Sequence, residues 1–212
     1  MQCEFRRRAR LLACGGAAWL GAGVLAACGA SGGADQGRVP TVDELSTHDG
    51  DVCPRRLPQN DGDDSDFGAG QPAESSPSLA PPESAWVCRY DPVEVGQDNR
   101  RGGATLRWQR AAGPYRVQPQ ASADLQGYLR DLSPIDPARV CTMDLGPRWM
   151  VVQANAGDLT GVVVDDYGCR EVRLTDEPFE NPPGSAAQPG TVAGVLEAPD
   201  GFLNYLKSIG RR

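Results

Sequence analysis

The amino-acid sequence predicts a single small α+β domain, in which a mainly antiparallel sheet carries two helices packed on one face. Three observations support this class. Short valine- and tryptophan-rich runs lie between turn residues, two segments carry apolar residues at helical spacing, and the two kinds of segment do not alternate regularly. The predicted order is β-β-α-β-β-β-β-α over residues 49–212. A chain of that size buries on the order of 68–70% of its unfolded surface, which suffices for one core.

The first two strands are predicted at residues 85–90 and 104–109. In the second strand Leu106 and Trp108 alternate with polar neighbours, and this period of two is typical of a strand with one buried face. Pro92 is expected to end the first strand, because proline has no N–H group to donate within a sheet.

A helix is predicted next, with Ser122 as its N-cap. The apolar residues Leu125, Tyr128, Leu129 and Leu132 follow the spacing i, i+3, i+4, i+7 and therefore form one buried stripe.

Four further strands are predicted at residues 140–144, 148–155, 159–166 and 169–174. The middle two form a hairpin that turns at residues 155–158. Both hairpin strands carry apolar residues at consecutive positions, a pattern that indicates strands covered on both faces.

The carboxy-terminal part begins with a proline-rich connector at residues 176–190. An additional edge strand is predicted at residues 191–197. The last helix is expected to start at Pro199, a favoured first-turn residue, and to end at Gly210. Its buried positions are Phe202, Leu203, Leu206 and Ile209.

The amino terminus has the composition of an export signal. Four arginines precede an uncharged stretch at residues 11–27, which ends in small residues. Residues 25–28 read Leu-Ala-Ala-Cys and resemble the bacterial lipobox. The resemblance implies that residues 1–27 are a lipoprotein signal peptide and that the Cys28 thiol receives a diacylglycerol anchor. The chain would then lie on the extracellular face of the cell membrane, whether exported by the general secretory or the twin-arginine route.

An uncleaved transmembrane helix is the alternative for this segment. Its 17 uncharged residues are at the short limit for crossing a bilayer, and its four glycines weaken it as a helix. The arginine-dominated basic composition is similar to that of small lipoproteins of high-GC Gram-positive bacteria, a resemblance that implies no particular activity.

Two segments are predicted to lack fixed structure. After Cys28 the chain continues with glycine, alanine and serine, and residues 28–48 are interpreted as a lipidated flexible tether. Residues 59–83 combine four aspartates with proline and serine and contain few large apolar residues. They are interpreted as a mobile insertion within the domain at 49–212.

Four cysteines remain after the signal and the lipidated residue are set aside: Cys53, Cys88, Cys141 and Cys169. Their wide spacing and the presence of a single histidine argue against a zinc site and favour two disulfides in an oxidising compartment. The pairs Cys53–Cys88 and Cys141–Cys169 are slightly favoured over the other two connectivities. In a plain four-stranded meander, however, the strands carrying the second pair would lie roughly 14 Å apart.

The charge balance restricts the partners. Without residues 1–27, which hold four of the 21 basic and one of the 28 acidic residues, the net charge is −10. Such an acidic chain repels nucleic acid, which is therefore not expected as a partner. The expected partners are the membrane, through the lipid at Cys28, and an envelope protein or polymer that the sequence does not identify.

No catalytic residue, metal ligand or cofactor is predicted. His48, the only histidine, lies at the edge of the tether and is interpreted as a solvated loop residue. The acidic run at residues 61–66 departs from an EF-hand at positions 6 and 12. Asp165 and Asp166 are neighbours on a strand and point to opposite faces, so they are not expected to act as a catalytic pair.

The tryptophans Trp86, Trp108 and Trp149 are interpreted as core residues rather than as a ligand platform. Residues 88–93 resemble a short stretch of bacterial subtilisin-type protease inhibitors. The leading hypothesis is a non-enzymatic binding or interaction module. A cell-wall polymer hydrolase that uses carboxylates is the alternative, and protease inhibition is a minor one.

Overall fold

The structure is a computed structural model that describes residues 43–60, 70–98, 103–142 and 144–211. The predicted signal peptide, the lipidation site Cys28 and most of the predicted tether lie outside the described residues. So does the acidic run at 61–66. No helix within the described ranges is long and apolar enough to span a membrane.

Seven antiparallel strands form one sheet, which confirms the predicted α+β class. Their order across the sheet is β2-β1-β4-β5-β6-β7-β3. The strands are β1 (Ser84–Asp98), β2 (Gly103–Arg116), β3 (Ser133–Pro134), β4 (Arg148–Asn155), β5 (Asp158–Asp165), β6 (Glu171–Thr175) and β7 (Leu196–Glu197).

Among the described residues, three helices accompany the sheet: α1 (Glu44–Thr47), α2 (Pro119–Arg130) and α3 (Phe202–Ile209). The predicted apolar stripes of the two longer helices are buried, and both helices pack on the same face. The core on this face joins Leu125, Leu129, Phe202 and Leu206 to the strand residues Val87, Val151, Val162, Val164, Val172 and Leu174.

The opposite face of the sheet is covered by chain outside the regular elements. Val52, Cys53 and Leu57 pack there against Tyr90, Trp108, Met150, Val152 and Val163. Strand β4 is therefore buried on both faces over seven of its eight residues. Its run of consecutive apolar residues predicted this burial.

The first strand continues beyond Pro92, where the sequence predicted its end. Strand β1 pairs with β4 only as far as Tyr90, and beyond that point it pairs with β2 alone. A proline is tolerated there because one side of the strand needs no N–H donor.

The strand predicted at residues 140–144 is not formed. Val140 is 94% exposed, and this segment runs instead to the turn between β5 and β6. There the Asp144 carboxylate accepts a hydrogen bond from the backbone N–H of Gly168, at 3.3 Å. The predicted edge strand at 191–197 is shortened to β7, which lies between β6 and β3 and not at an edge.

The predicted mobile insertion at 59–83 needs correction for its second half. The backbone N–H of Ala73 donates to Val195, and that of Ser78 donates to Gly190. Ala73 and Pro77 are buried. Backbone pairing with the carboxy-terminal connector therefore fixes a segment whose composition alone indicated mobility.

Helix α1 lies within residues 28–48, the segment predicted as a tether. The Glu44 backbone N–H donates to the Gly157 carbonyl at 3.0 Å, so the short helix is attached to the turn between β4 and β5. Polar backbone contacts, which composition does not reveal, order this part of the segment.

Candidate ligand-binding pocket

A pocket of about 460 Å³ lies at the end of the sheet where β4 turns into β5. This volume falls within the range of roughly 300–1,000 Å³ that is typical of small-molecule sites. We call it the hairpin pocket. It is lined by Leu79, Ala80, Gln153, Asn155, Ala156, Asp158, Thr160, Gln188, Pro189 and Thr191.

Two strands provide the floor of the hairpin pocket. Gln153 on β4 is in register with Thr160 on β5, and Asn155 is in register with Asp158. Since side chains alternate along a strand, Gln153 lies on the same face as Val151, which packs under the helices. The pocket thus continues the helix-bearing face, yet none of its lining residues belongs to α2 or α3.

Gln153 is the most unusual residue of the floor. It is only 4% exposed, and none of the described residues accepts a hydrogen bond from its Nε2 atom. A buried donor without a partner costs about 1–3 kcal/mol of stability. Most buried polar groups in folded proteins are satisfied, so this donor is a candidate contact for a ligand.

One wall of the pocket is a tight turn at residues 188–191. Pro189 and Gly190 occupy its central positions, and Gly190 has a φ angle of 91°. The Thr191 hydroxyl donates to the Gln188 carbonyl at 2.8 Å, which closes the turn. Positive φ at the second central residue is typical of a type II turn and favours glycine.

A second wall, formed by Leu79 and Ala80, is attached to this turn. The Ser78 backbone N–H donates to the Gly190 carbonyl at 2.7 Å. A Cβ atom on Gly190 would collide with the Ser78 carbonyl oxygen. Glycine therefore permits both the turn and the close approach of the two walls.

Asp176 holds Gln188 in place from behind the wall. Its buried carboxylate accepts a hydrogen bond from the Gln188 backbone N–H at 2.7 Å and another from the Ala187 backbone N–H. The Gln188 side chain donates to the Asp176 carbonyl at 3.3 Å and accepts from the Thr160 hydroxyl at 3.5 Å. These hydrogen bonds connect the Gln188 amide, in the wall of the pocket, to Thr160 in its floor.

A second, smaller pocket of about 180 Å³ lies near α1 and contains several acidic side chains. We call it the acidic pocket. It is lined by Glu44, Thr47, His48, Glu177, Pro178, Phe179 and Glu180.

Burial raises the pKa of Glu44 to about 7, and the negative charges of Asp158, Glu177 and Asp176 add to the shift. A hydrogen bond from the Leu159 backbone N–H partly opposes it. Within the described ranges, no group of acidic, histidine or cysteine side chains is arranged to hold a metal ion.

His48 does not behave as a solvated loop residue. Its ring is half-buried and stacks on Phe179, with 3.7 Å between the ring centroids and 13° between the planes. The sequence could not indicate this contact because the two residues are far apart along the chain.

Asp165 and Asp166 point to opposite faces, as predicted. Asp165 is buried and bridges two arginines, with 2.6 Å to Arg148 Nε and 3.2 Å to Arg173. Asp166 instead pairs with Lys207 of α3 at 2.6 Å. The two carboxylates therefore form structural ion pairs on opposite faces of the sheet.

The tryptophans do not share a platform. Trp108 and Trp149 are both buried, but they belong to the cores on opposite faces of the sheet. The Arg148 guanidinium stacks over the Trp108 ring at 3.6 Å. Trp86 is half-buried.

Two disulfides are present, Cys53–Cys88 and Cys141–Cys169, and these are the pairs that the sequence favoured. The Cα atoms of the second pair are 5.0 Å apart. Neither of its cysteines lies in a strand, so the spacing of strands in the sheet does not separate them. Two disulfides are typical of a protein of an oxidising, extracytoplasmic location.

The floor of the hairpin pocket was missed in the sequence. Its signal was present, because Gln153 and Asn155 on one strand and Asp158 and Thr160 on the other place polar residues at alternate positions. These two cross-strand polar pairs lie on one face of two strands whose central residues are apolar on both faces. The polar pairs therefore break the apolar pattern of the strands. Such a conflict indicates a site more often than a packing solution.

Together the fold and the pocket define a small disulfide-bonded α+β domain with a polar cavity on its sheet. No protein-family model, curated protein sequence or solved structure matches this chain.

Proposed function

We propose that this chain is a lipoprotein, anchored to the extracellular face of the cell membrane through Cys28, whose domain binds a ligand in the hairpin pocket without transforming it. The observation that carries the binding role is the buried Gln153 amide, which lines the pocket and has no acceptor for Nε2 among the described residues. The lipobox-like sequence at residues 25–28 is the observation that supports the anchor.

The polar groups of the pocket support binding rather than packing. Folding alone would favour an apolar side chain at Gln153, since an apolar residue avoids the desolvation of an unsatisfied donor. A ligand that accepts a hydrogen bond from Nε2 offsets that cost only when it is bound. Stability given up at a site is typical of functional positions.

A second candidate function, hydrolysis through carboxylates, has one observation in its favour. Glu44 has a pKa of about 7 beside Glu177 in the acidic pocket. A carboxyl group with such a pKa can donate a proton near neutral pH. However, Glu44 already accepts a backbone hydrogen bond from Leu159 at 2.9 Å, which gives its carboxylate a structural role.

The anchor is tested by replacing the acyl acceptor. We expect Cys28→Ala to abolish incorporation of radiolabelled fatty acid, whereas Cys14→Ala, a matched change within the predicted signal, leaves incorporation intact. Fatty-acid label retained by the Cys28→Ala protein would refute the anchor. Membrane association of that variant after alkaline washing would favour the transmembrane alternative.

Binding and catalysis are distinguished with the mature protein purified from membranes in detergent. A ligand of the hairpin pocket should raise the melting temperature of the wild type more than that of Gln153→Met, and mass spectrometry should recover it unchanged. Conversion of that ligand, lost in Glu44→Gln, would establish the hydrolase instead.

A further inference from the structure

We propose that the hairpin pocket binds an uncharged polyhydroxy ligand, namely a sugar residue of a glycan. This inference rests on the proposed binding function and names the ligand class of the same site. It follows from the hydrogen-bonding chemistry of the floor, the charge of the lining residues and the position of the pocket in the sheet.

The floor requires a ligand that both accepts and donates hydrogen bonds. Gln153 offers the Nε2 donor, which needs an acceptor. Asp158 offers a carboxylate, which can only accept when ionised. The amide of Asn155 can do both, and the Thr160 hydroxyl, whose proton goes to Gln188, can accept. Adjacent hydroxyl groups of a sugar satisfy this mixture, since every hydroxyl is at once a donor and an acceptor.

The charge of the lining residues argues against an anionic ligand, and the unsatisfied donor argues against a simple cation. No basic side chain is among the lining residues, and Asp158 places a negative charge there. An anion such as a phosphate would be repelled. A simple cation would leave Gln153 Nε2 unsatisfied, because a cation accepts no hydrogen bond. The lining therefore favours a neutral ligand over an anion or a simple cation.

The location of the pocket argues against an extended peptide. Peptides that add to a sheet bind along an exposed edge strand, where backbone groups are free. The hairpin pocket lies on a face of the sheet. Strand β6 pairs with β5 only from Gly161 onward, but on the remaining edge the Leu159 backbone N–H already donates to the Glu44 carboxylate. The floor therefore presents side chains, not backbone, to the ligand.

The walls of the hairpin pocket offer apolar surface to a sugar ring. Leu79 and Pro189 are rigidly connected through the hydrogen bond between Ser78 and Gly190. Their apolar surfaces can cover the C–H groups of a ring whose hydroxyls reach the floor. Gln188, fixed by Thr160 and Asp176, adds a second amide at the rim.

The test uses isothermal titration calorimetry on the mature protein in detergent. The probes are neutral oligosaccharides of glucose, mannose, galactose and N-acetylglucosamine, an anionic oligosaccharide of glucuronic acid, and an uncharged peptide of similar length. We expect at least one neutral oligosaccharide to bind and the other two probes not to bind. Gln153→Met should weaken that binding at least tenfold, which corresponds to ~1.4 kcal/mol.

Matched variants separate a role in binding from a role in folding. Gln109→Met makes the same change at an exposed residue of β2, outside the pocket, and should leave the affinity unchanged. Thr160→Val, which removes the hydroxyl that donates to Gln188, should also weaken binding several-fold.

Binding of none of the neutral sugars, or sugar binding that Gln153→Met leaves intact, would overturn the inference. If the peptide or the anionic probe instead binds in a manner that depends on Gln153, the ligand class is wrong but the proposed binding function stands. If no compound in a broad thermal-shift library depends on Gln153, the proposed function fails as well.

Discussion

The Glu44 carboxylate accepts a hydrogen bond from the backbone N–H of Leu159 at 2.9 Å. This contact connects helix α1, which lies within the segment predicted as a tether, with strand β5, which contributes to the floor of the hairpin pocket. The turn between β4 and β5 is thus held by α1 on one side and faces the pocket on the other.

The raised pKa of Glu44 predicts a pH-dependent stability. The folded protein retains a proton on Glu44 up to a pH of about 7, whereas the unfolded chain releases it near 4.5. Stability contributed by this group must therefore fall as the pH rises from 4.5 through 7. We expect the melting temperature of Glu44→Gln, relative to wild type, to increase by a few degrees between pH 5 and pH 8.

Glu74→Gln, a change at an exposed glutamate, provides the control and should show no such trend. A constant difference between Glu44→Gln and wild type across this pH range would contradict the assignment.

A second prediction concerns the buried carboxylate of Asp165. Replacing it with asparagine removes the negative charge between Arg148 and Arg173, whose side chains are 2% and 5% exposed. Breaking a buried ion pair by removing one partner costs about 3–5 kcal/mol. Urea unfolding should show a loss of that order for Asp165→Asn.

The adjacent Asp166→Asn change serves as the comparison. Its partner Lys207 is 34% exposed, so the loss should be about 1 kcal/mol or less. Equal losses in the two variants would show that burial does not govern the contribution of these ion pairs.

A third prediction is that the more accessible of the two disulfides is reduced first. Cys53 and Cys88 are both fully buried, whereas Cys141 is exposed. Exposed disulfides are the more readily attacked by a thiolate. Graded dithiothreitol followed by alkylation and mass spectrometry should label Cys141 and Cys169 first. Initial labelling of the Cys53–Cys88 pair would contradict the burial of that bond.

A fourth prediction is that Gln153→Met stabilises the unliganded protein. Methionine has a similar length and removes the unsatisfied donor, so we expect a gain of about 1 kcal/mol, or roughly 2–4 °C in melting temperature. The exposed control Gln109→Met should stay within about 0.5 kcal/mol of wild type. A clear destabilisation by Gln153→Met would mean that the amide contributes to folding.

Periodicity predicted the parts of the fold that depend on local pattern. The apolar stripe from Leu125 to Leu132 and the consecutive apolar residues of β4 are buried as expected. The favoured cysteine pairs are also present. In these cases, side-chain spacing alone determines which faces the elements bury.

Long-range backbone contacts explain the failures. The pairing of Ser78 with Gly190, and of Glu44 with Gly157, orders segments whose composition indicates mobility. Strand β1 continues past Pro92 because its pairing with β4 ends at Tyr90. The point at which this pairing ends depends on the register between the two strands. The hairpin pocket was missed for the same reason, since two of its walls come from distant connectors.

The most direct test of the account is whether the Gln153 amide contacts a ligand. The mature protein is labelled with ¹⁵N in its glutamine side chains, and nuclear magnetic resonance spectra are recorded in detergent with and without the tightest-binding neutral oligosaccharide. We expect a shift of the Gln153 Nε2 resonance and slower exchange of its protons with water, while the Gln109 resonance stays unchanged. A bound oligosaccharide that leaves the Gln153 resonance unmoved would contradict it.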